Sequence, residues 1–473
     1  MGKHIGKSVK RVEDPRFIQG QGKYVANLKL PNMAHVAVLR SPHAHAKIKS
    51  INTDVAKAMD GVIDVFIGQD LIDGGVGKMP VIWQVPDNKI PDRWPLVPDK
   101  VRHVGDSVAA VVAEDPYVAA DALELIEVDY EVLEATIGAK ATTEDGKPLV
   151  HDEIENNISF KWGLGDREAC DKAFEEADHV VKLDLINQRM IANAMEPRAC
   201  AAQWTAATED MTVWTTSQNP HIIRFGLSAV TLPMLDEHKL RVISPDVGGG
   251  FGSKIFHYPE EVIIPWIAKE INRPCKWVAT RSESFMTDSQ GRDHVQNCKM
   301  ALTSDGIITG LYVELHADMG AYLSSIAPLI PTVICITLFS GLYKNPGIWG
   351  ETTGTLTNTV PVDAYRGAGR PEASYLVERL VDVAAQELKM DPIEIRRKNF
   401  IGKDEFPYQT PVAFLYDSGD YHAMFDKLEE NGDYKGMRAA QAKAKEDGRL
   451  VGIGVSGCVE ASGYGPAATV GAL

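Results

Sequence analysis

The sequence predicts a chain of mixed helix and strand, α/β or α+β, on three observations. Short β-branched or continuous apolar runs, such as His35–Arg40 and Ser107–Ala113, have the length of strands. Segments with 3.6-residue apolar spacing, such as Asp115–Leu125, fall between them. A long amphipathic segment, Glu372–Leu388, is followed by Asp391-Pro392, where a proline can open another helix.

The elements follow in order. Within residues 1–135, strands are expected at His35–Arg40, Gly61–Ile67, Ser107–Ala113 and Glu127–Leu133, and helices at Asp54–Met59 and Asp115–Leu125. Asp54 reads as the N-cap of its helix. Residues 136–179 read as a linker and connecting segment, with Thr142–Pro148 rich in turn formers. A second domain spans 180–405, with strands at Thr212–Thr215, Leu240–Ser244, Cys275–Ala279 and Gly310–His316 and helices at Glu260–Glu270 and Glu372–Leu388. Residues 406–473 read as a less regular connector. Val451–Val459 has the pattern of the start of a buried strand.

Composition sets bounds on function. The 473 residues carry a formal net charge of −16, which excludes the cationic surface that non-specific nucleic-acid binding needs. The longest apolar run, Ile326–Phe339, is broken by prolines and is too short to span a bilayer. Cys170, Cys200, Cys275, Cys298, Cys335 and Cys458 stand far apart with no Cys-x-x-Cys pair, unlike a zinc ribbon or an iron–sulfur site. That spacing suits a reducing compartment, and the polar Met1–Lys7 is not followed by the apolar core of a secretory signal. The expected location is cytoplasmic.

Three segments can carry chemistry. Asp246–Lys254 places four glycines in five positions after a strand. Such a backbone can approach a ligand closely and present N–H groups to anionic oxygens, or it can simply be a tight turn. It fits neither G-x-G-x-x-G nor a Walker A loop. Ala364–Glu372 sets Arg366 and Arg370 around a Gly-Ala-Gly turn at the start of the long helix, a place suited to anion recognition. Thr215–His221 is a polar cluster at a strand end in which Gln218 can donate an amide hydrogen to a ligand oxygen. His221, His257 and His294 show no i, i+4 pair and read as surface or core histidines. No metal ligation by side chains is expected.

With the opening Gly6–Asp14, Gly20–Tyr24, Arg40–Ala44, Met195-Glu196-Pro197-Arg198 and Arg396–Phe400, these segments resemble the large, molybdenum-binding subunit of the xanthine dehydrogenase and aldehyde oxidase family. The resemblance runs over essentially the whole sequence. It is greatest to the carbon-monoxide-dehydrogenase-like branch. It implies an α+β chain: an α/β hammerhead domain, then the first half of a molybdopterin-binding domain. It implies a molybdenum–molybdopterin cofactor, with the cytosine dinucleotide form as one option, and iron–sulfur clusters and FAD on partner subunits. The implied reaction is hydroxylation of an aldehyde or N-heteroaromatic carbon with water.

The resemblance assigns Gln218 to the molybdenum oxo group and Gly249, Gly250, Phe251 and Gly252 to the backbone beside the cofactor. It assigns Arg366 to orienting or polarising the substrate. Ala368 and Ile255 replace an aromatic and a glutamate of purine-oxidising members. The same loop of carbon-monoxide dehydrogenases carries a copper-binding cysteine, whereas here Arg366 is followed by Gly367-Ala368-Gly369, with no cysteine. The family's catalytic glutamate lies in a Gly-x-Gly-Glu motif that this sequence lacks. Two expectations follow: a split or fragmentary subunit completed by a second molybdopterin-binding chain, or an inactive scaffold remnant.

Overall fold

Ser107–Ala113 is buried at all seven positions because both faces of its sheet are covered. Successive strand side chains point to opposite faces. Ala110 and Val112 join a core with Val262–Ala268 of the helix Glu260–Glu270, whereas Ala109, Val111 and Ala113 pack with Ala119 and Ala122 of the helix Pro116–Leu123. The computed structural model describes residues 4–461, which form two units, residues 4–80 with Asp92–Glu134 and Ala192–Asp288, and Val81–Pro91 with Ala135–Ile191 and residues 289–461.

The first unit is built on a seven-stranded sheet in the order Leu240–Ile243, Asp210–Thr215, Ala199–Thr205, Cys275–Val278, Ala34–Arg40, Ser107–Ala113, Val62–Ile67. Asp210–Thr215 and Leu240–Ile243 run parallel, with Thr212 opposite Arg241. Parallel neighbours release their C-terminal loops at the same sheet edge. Residues 216–218 and 246–252 therefore emerge side by side. A three-stranded sheet orders Lys100–Val101, Ala46–Asn52 and Glu127–Val132.

The expected elements of this unit form within a few residues of their predicted ends. One cap differs. Thr53 is the N-cap of Asp54–Lys57, and Asp54 is its first residue, its N–H donating to Asn52 Oδ1 at 3.1 Å. Asp115 does cap the helix Pro116–Leu123, accepting from the Tyr117 N–H at 2.8 Å.

The second unit holds a five-stranded sheet in the order Ile158–Gly165, Gly347–Thr355, Ile308–Asp318, His294–Leu302, His179–Asn187. The long helix, Arg370–Glu387, lays Ala373, Leu376, Val377, Leu380, Val381, Ala384 and Ala385 on this core, the stripe its 3.6-residue spacing predicts. Residues 158–175, inside the stretch read as a connecting segment, are a strand of this sheet and the helix Arg167–Glu175. The apolar run Ile326–Phe339 packs into the same core, and no helix among the described residues is long and apolar enough to cross a membrane.

Two expectations for residues 406–461 are corrected. The region read as irregular contains the helices Tyr421–Gly432 and Tyr434–Glu446, capped by Asp420 and Asp433. They bury only Phe425 in the first and Tyr434 and Ala444 in the second, so they show little apolar periodicity. Val451–Val459 joins no strand and no residue of it is buried. Its backbone is tied to side chains instead: Val455 O accepts from Arg396 at 2.7 Å and the Gly457 N–H donates to Glu378 at 2.9 Å. The last part of the small-residue tail, 462–473, lies outside the described residues.

Candidate functional site

Gln218 and the glycine-rich turn meet at the sheet edge of the first unit. The Gln218 N–H donates to Lys254 O at 2.8 Å, and Gln218 Oε1 accepts from the Gly252 N–H at 3.0 Å. A Cβ on Gly250 would lie 2.2 Å from Gln218 Oε1, so only glycine admits this approach. Gly249 and Gly252 have φ of +100° and +102°, and Phe251, between Gly250 and Gly252, has φ of +54° and is 42% exposed. A bulky residue held left-handed and outward is a strain worth about 1–2 kcal/mol that burial of its ring does not offset. The structure thus brings Gln218, Gly249, Gly250, Phe251 and Gly252 together.

Residues beneath the turn were not singled out by their chemistry in the sequence. Glu196 Oε2 accepts from the Gly248 N–H at 2.7 Å and from Lys254 Nζ at 3.1 Å, while Glu196 O accepts from the same ammonium at 2.8 Å. Burial lowers the pKa of Lys254, and the charge of Glu196 and its hydrogen bond oppose that. Glu196 Oε1 is buried with no hydrogen-bond partner. At the start of the turn, hydrogen bonds from Arg16 and the Lys23 N–H hold the Asp246 carboxyl at about 2. Arg198, next to Pro197, is buried, donating to Asp288 and Glu260 at 2.6 Å each. Glu260 also accepts from Arg40 at 2.6 Å, and these cations keep its carboxyl far below the usual range although burial pushes the other way. Of these partners, Glu196 and Arg198 are marked in the sequence by the Met-Glu-Pro-Arg segment, and Asp246, Lys254 and Arg40 by the glycine-rich and Arg40–Ala44 segments.

Arg366 belongs to the second unit, where Tyr365–Gly369 turns into the helix Arg370–Glu387. Gly367, Ala368 and Gly369 have φ of +98°, +37° and +78°, and the Ala368 N–H closes the turn on Tyr365 O at 2.7 Å. The turn is seated on Gly291-Arg292: a Cβ on Gly291 would meet Tyr365 Cβ at 2.2 Å, and Arg292 donates to Tyr365 O and Arg366 O at 2.8 Å each. The two arginines expected to bind anions separate here. Arg366 is exposed. Arg370 is spent on its own surroundings, donating to Gly367 O at 3.2 Å and Ala461 O at 2.9 Å and pairing with Glu460 at 2.7 Å.

His257 is a buried residue facing Thr231 Oγ1 at 3.2 Å and Glu261 Oε2 at 3.3 Å, and His294 is buried with its pKa pushed down to about 3 by desolvation, so both sit in the core. Among the described residues no three His, Cys, Asp or Glu side chains group to hold a metal. The glycine cradle, by contrast, suits a group held through backbone and amide contacts. A Cβ at Gly250 would displace the Gln218 amide from it, and the buried Glu196 Oε1 has no partner.

Residues 19–134 match the family profile described as aldehyde oxidase and xanthine dehydrogenase, a/b hammerhead domain. Residues 150–400 match the profile described as molybdopterin cofactor-binding domain. The chain is 37% identical to the carbon monoxide dehydrogenase large chain of Hydrogenophaga pseudoflava, over 96% of its own length and 58% of that chain. It thus spans about three-fifths of the carbon monoxide dehydrogenase large chains it matches. It is 31% identical to the nicotinate dehydrogenase large molybdopterin subunit of Eubacterium barkeri, over 84% of its length and 89% of that subunit. The crystal structure of the Cu,Mo-CO dehydrogenase in its carbon monoxide reduced state superposes with a TM-score of 0.88 at 35% identity, covering 94% of this chain and 57% of that one. The expected α+β order, hammerhead then molybdopterin-binding domain, is therefore the observed one, and the chain belongs to the molybdenum-binding large subunits of the xanthine dehydrogenase and aldehyde oxidase family, in the carbon-monoxide-dehydrogenase-like branch.

Proposed function

We propose that the chain is part of a molybdenum hydroxylase acting on an aldehyde or an N-heteroaromatic carbon. The observation that carries this reading is the approach of the Gly250 backbone to the Gln218 amide, which admits no side chain at position 250. When bound, the molybdenum–molybdopterin group supplies hydroxylation with oxygen from water and takes up two electrons. Gly249, Gly250, Phe251 and Gly252 hold that group by their backbone. Gln218 has its Oε1 occupied by the Gly252 N–H, which leaves the amide NH2 as the end that donates to an oxygen of the group. Arg366, exposed at the tip of its turn, orients the substrate and draws charge toward its polar end.

Three positions narrow the substrate. Gly367 after Arg366 offers no thiolate for copper, which disfavours carbon monoxide despite the identity to carbon monoxide dehydrogenases. Ala368 and Ile255 supply neither the stacking ring nor the carboxylate of purine-oxidising members. The nicotinate dehydrogenase subunit, matched over 89% of its length, favours an N-heteroaromatic acid or its kin. In this reading the general base is a glutamate of a Gly-x-Gly-Glu motif supplied by a partner chain. Electrons pass to iron–sulfur and FAD subunits. Five of the six cysteines are buried and all are free thiols, in keeping with a cytoplasmic location.

The test is co-expression of the chain with the products of its neighbouring reading frames, followed by purification and elemental analysis. Molybdenum near one per chain, with iron and flavin co-purifying, is the expected result. A complex without molybdenum would overturn the reading and favour a scaffold remnant.

A further inference from the structure

The structure assigns Glu196 and Lys254 as a positioning pair that sets the glycine turn and Gln218 in register. This rests on the reading of that turn as the cofactor cradle. Lys254 is the node. Its backbone carbonyl accepts from the Gln218 N–H at 2.8 Å and from Ser217 Oγ at 3.3 Å, so it fixes the loop that carries the glutamine. Its ammonium reaches the other way, to Glu196 O at 2.8 Å and Glu196 Oε2 at 3.1 Å. Glu196 in turn grips the first glycine from both sides. Its carboxylate accepts from the Gly248 N–H at 2.7 Å and its own N–H donates to Gly248 O at 3.2 Å. A Cβ at Gly248 would lie 2.6 Å from Glu196 Cβ, so the two backbones are as close as glycine permits. The ring Gln218–Lys254–Glu196–Gly248 is closed by the Gly252 N–H on Gln218 Oε1 at 3.0 Å.

Stability does not explain this arrangement. The side chains of Lys254 and Glu196 are 1% and 12% exposed, and a buried ion pair returns little net stability after desolvation. Glu196 Oε1 has no partner, which adds cost. What the pair does supply is geometry: the carboxylate holds the Gly248 N–H and the ammonium holds Glu196 O, at the place where the turn must accept a rigid group. A neutral apolar pair would fill the volume and leave the Gly248 N–H and Glu196 O without these partners.

The test uses the full chain co-expressed with its partners. Glu196→Ala is compared with the conservative Glu196→Gln, which keeps an acceptor for the Gly248 N–H. Readouts are molybdenum per chain and amide hydrogen exchange of the peptide spanning 246–256. For Glu196→Ala, molybdenum is expected to fall at least fivefold and exchange of the peptide to rise at least tenfold. Glu196→Gln is expected to stay within twofold of the natural protein in both. If Glu196→Ala fails to fold because Lys254 is left unpaired, the charge-neutral Glu196→Ala/Lys254→Met variant is used, with the same expected opening of the peptide. Unchanged exchange in the folded variant overturns the assignment. If the natural protein holds no molybdenum but the exchange contrast is present, the pair stands and the cofactor reading fails.

Discussion

Arg292 and Glu372 form a buried ion pair, Nη1 to Oε1 at 3.2 Å, and the same guanidinium holds both carbonyls at the start of the Arg366 turn. Glu372 lies in the first turn of the helix that follows, so Arg292 spans the turn from its entry to its exit. Removing one partner of a buried pair typically costs about 3–5 kcal/mol because the other charge is stranded. Arg292→Met is expected to lower the unfolding free energy by about 3 kcal/mol and to speed tryptic cleavage after Arg366. Arg292→Met/Glu372→Leu is expected to recover most of the stability in urea titrations without recovering protection from trypsin. Equal protection in the double variant would show that the turn holds itself.

Gly250→Ala is expected to displace the Gln218 amide, since the added methyl would sit 2.2 Å from Gln218 Oε1. The cost is a lost hydrogen bond to the Gly252 N–H plus overpacking, about 2–3 kcal/mol together. Gly452→Ala meets nothing within 4 Å and serves as the control. Thermal unfolding and molybdenum content separate them: both readings fall for Gly250→Ala, and neither moves for Gly452→Ala.

The fold was legible where burial is one-sided or complete. Ser107–Ala113 and Arg370–Glu387 show their periods plainly because a core dictates every apolar position. The helices Tyr421–Gly432 and Tyr434–Glu446 were hidden because so little of either is buried. Gly249, Gly250, Phe251 and Gly252 announced themselves, since glycine clusters are costly without a reason of geometry. The residues that hold them did not. Glu196, Lys254 and Arg292 are ordinary charged residues in sequence, and their roles arise only when segments far apart in the chain meet, as Glu196 and Gly248 do across 52 positions. The partners of Arg370, Glu460 and Ala461, are likewise remote in the chain.

Asp363, three residues before Arg366, gives a pH dependence of definite sign. It is buried, accepts from the N–H groups of Ile326 and Ala364 at 3.1 and 2.7 Å, and desolvation pushes its carboxyl up to about 7 against those hydrogen bonds and one from Ser324. Unfolding returns it to about 4, so the unfolded chain releases its proton first as pH rises. Its contribution to stability is fully present below about pH 4 and is lost as pH rises through about 7. Asp363→Asn removes this term. The variant is expected to gain about 2 kcal/mol relative to the natural protein between pH 5 and pH 8 in urea titrations. Taking the difference cancels His294, whose depressed value costs stability on the acid side. No gain at pH 8 would mean that Asp363 is ionised in the folded chain at neutral pH.

Arg366 carries the last prediction, because it separates chemistry from scaffold at one position. Its backbone carbonyl is held by Arg292, a contact that truncation of the side chain does not remove. Arg366→Ala is expected to leave molybdenum content and thermal stability unchanged while lowering kcat/KM by about 100-fold, the scale of losing one preorganised electrostatic donor at about 2.7 kcal/mol. Nicotinate and benzaldehyde, one from each proposed substrate class, are the substrates to compare. Arg366→Lys keeps the charge but not the planar fork, so it is expected to rescue in part, and more for the neutral aldehyde than for the carboxylate. A fall in molybdenum for Arg366→Ala would make the arginine a structural support of the cofactor region rather than a partner of the substrate.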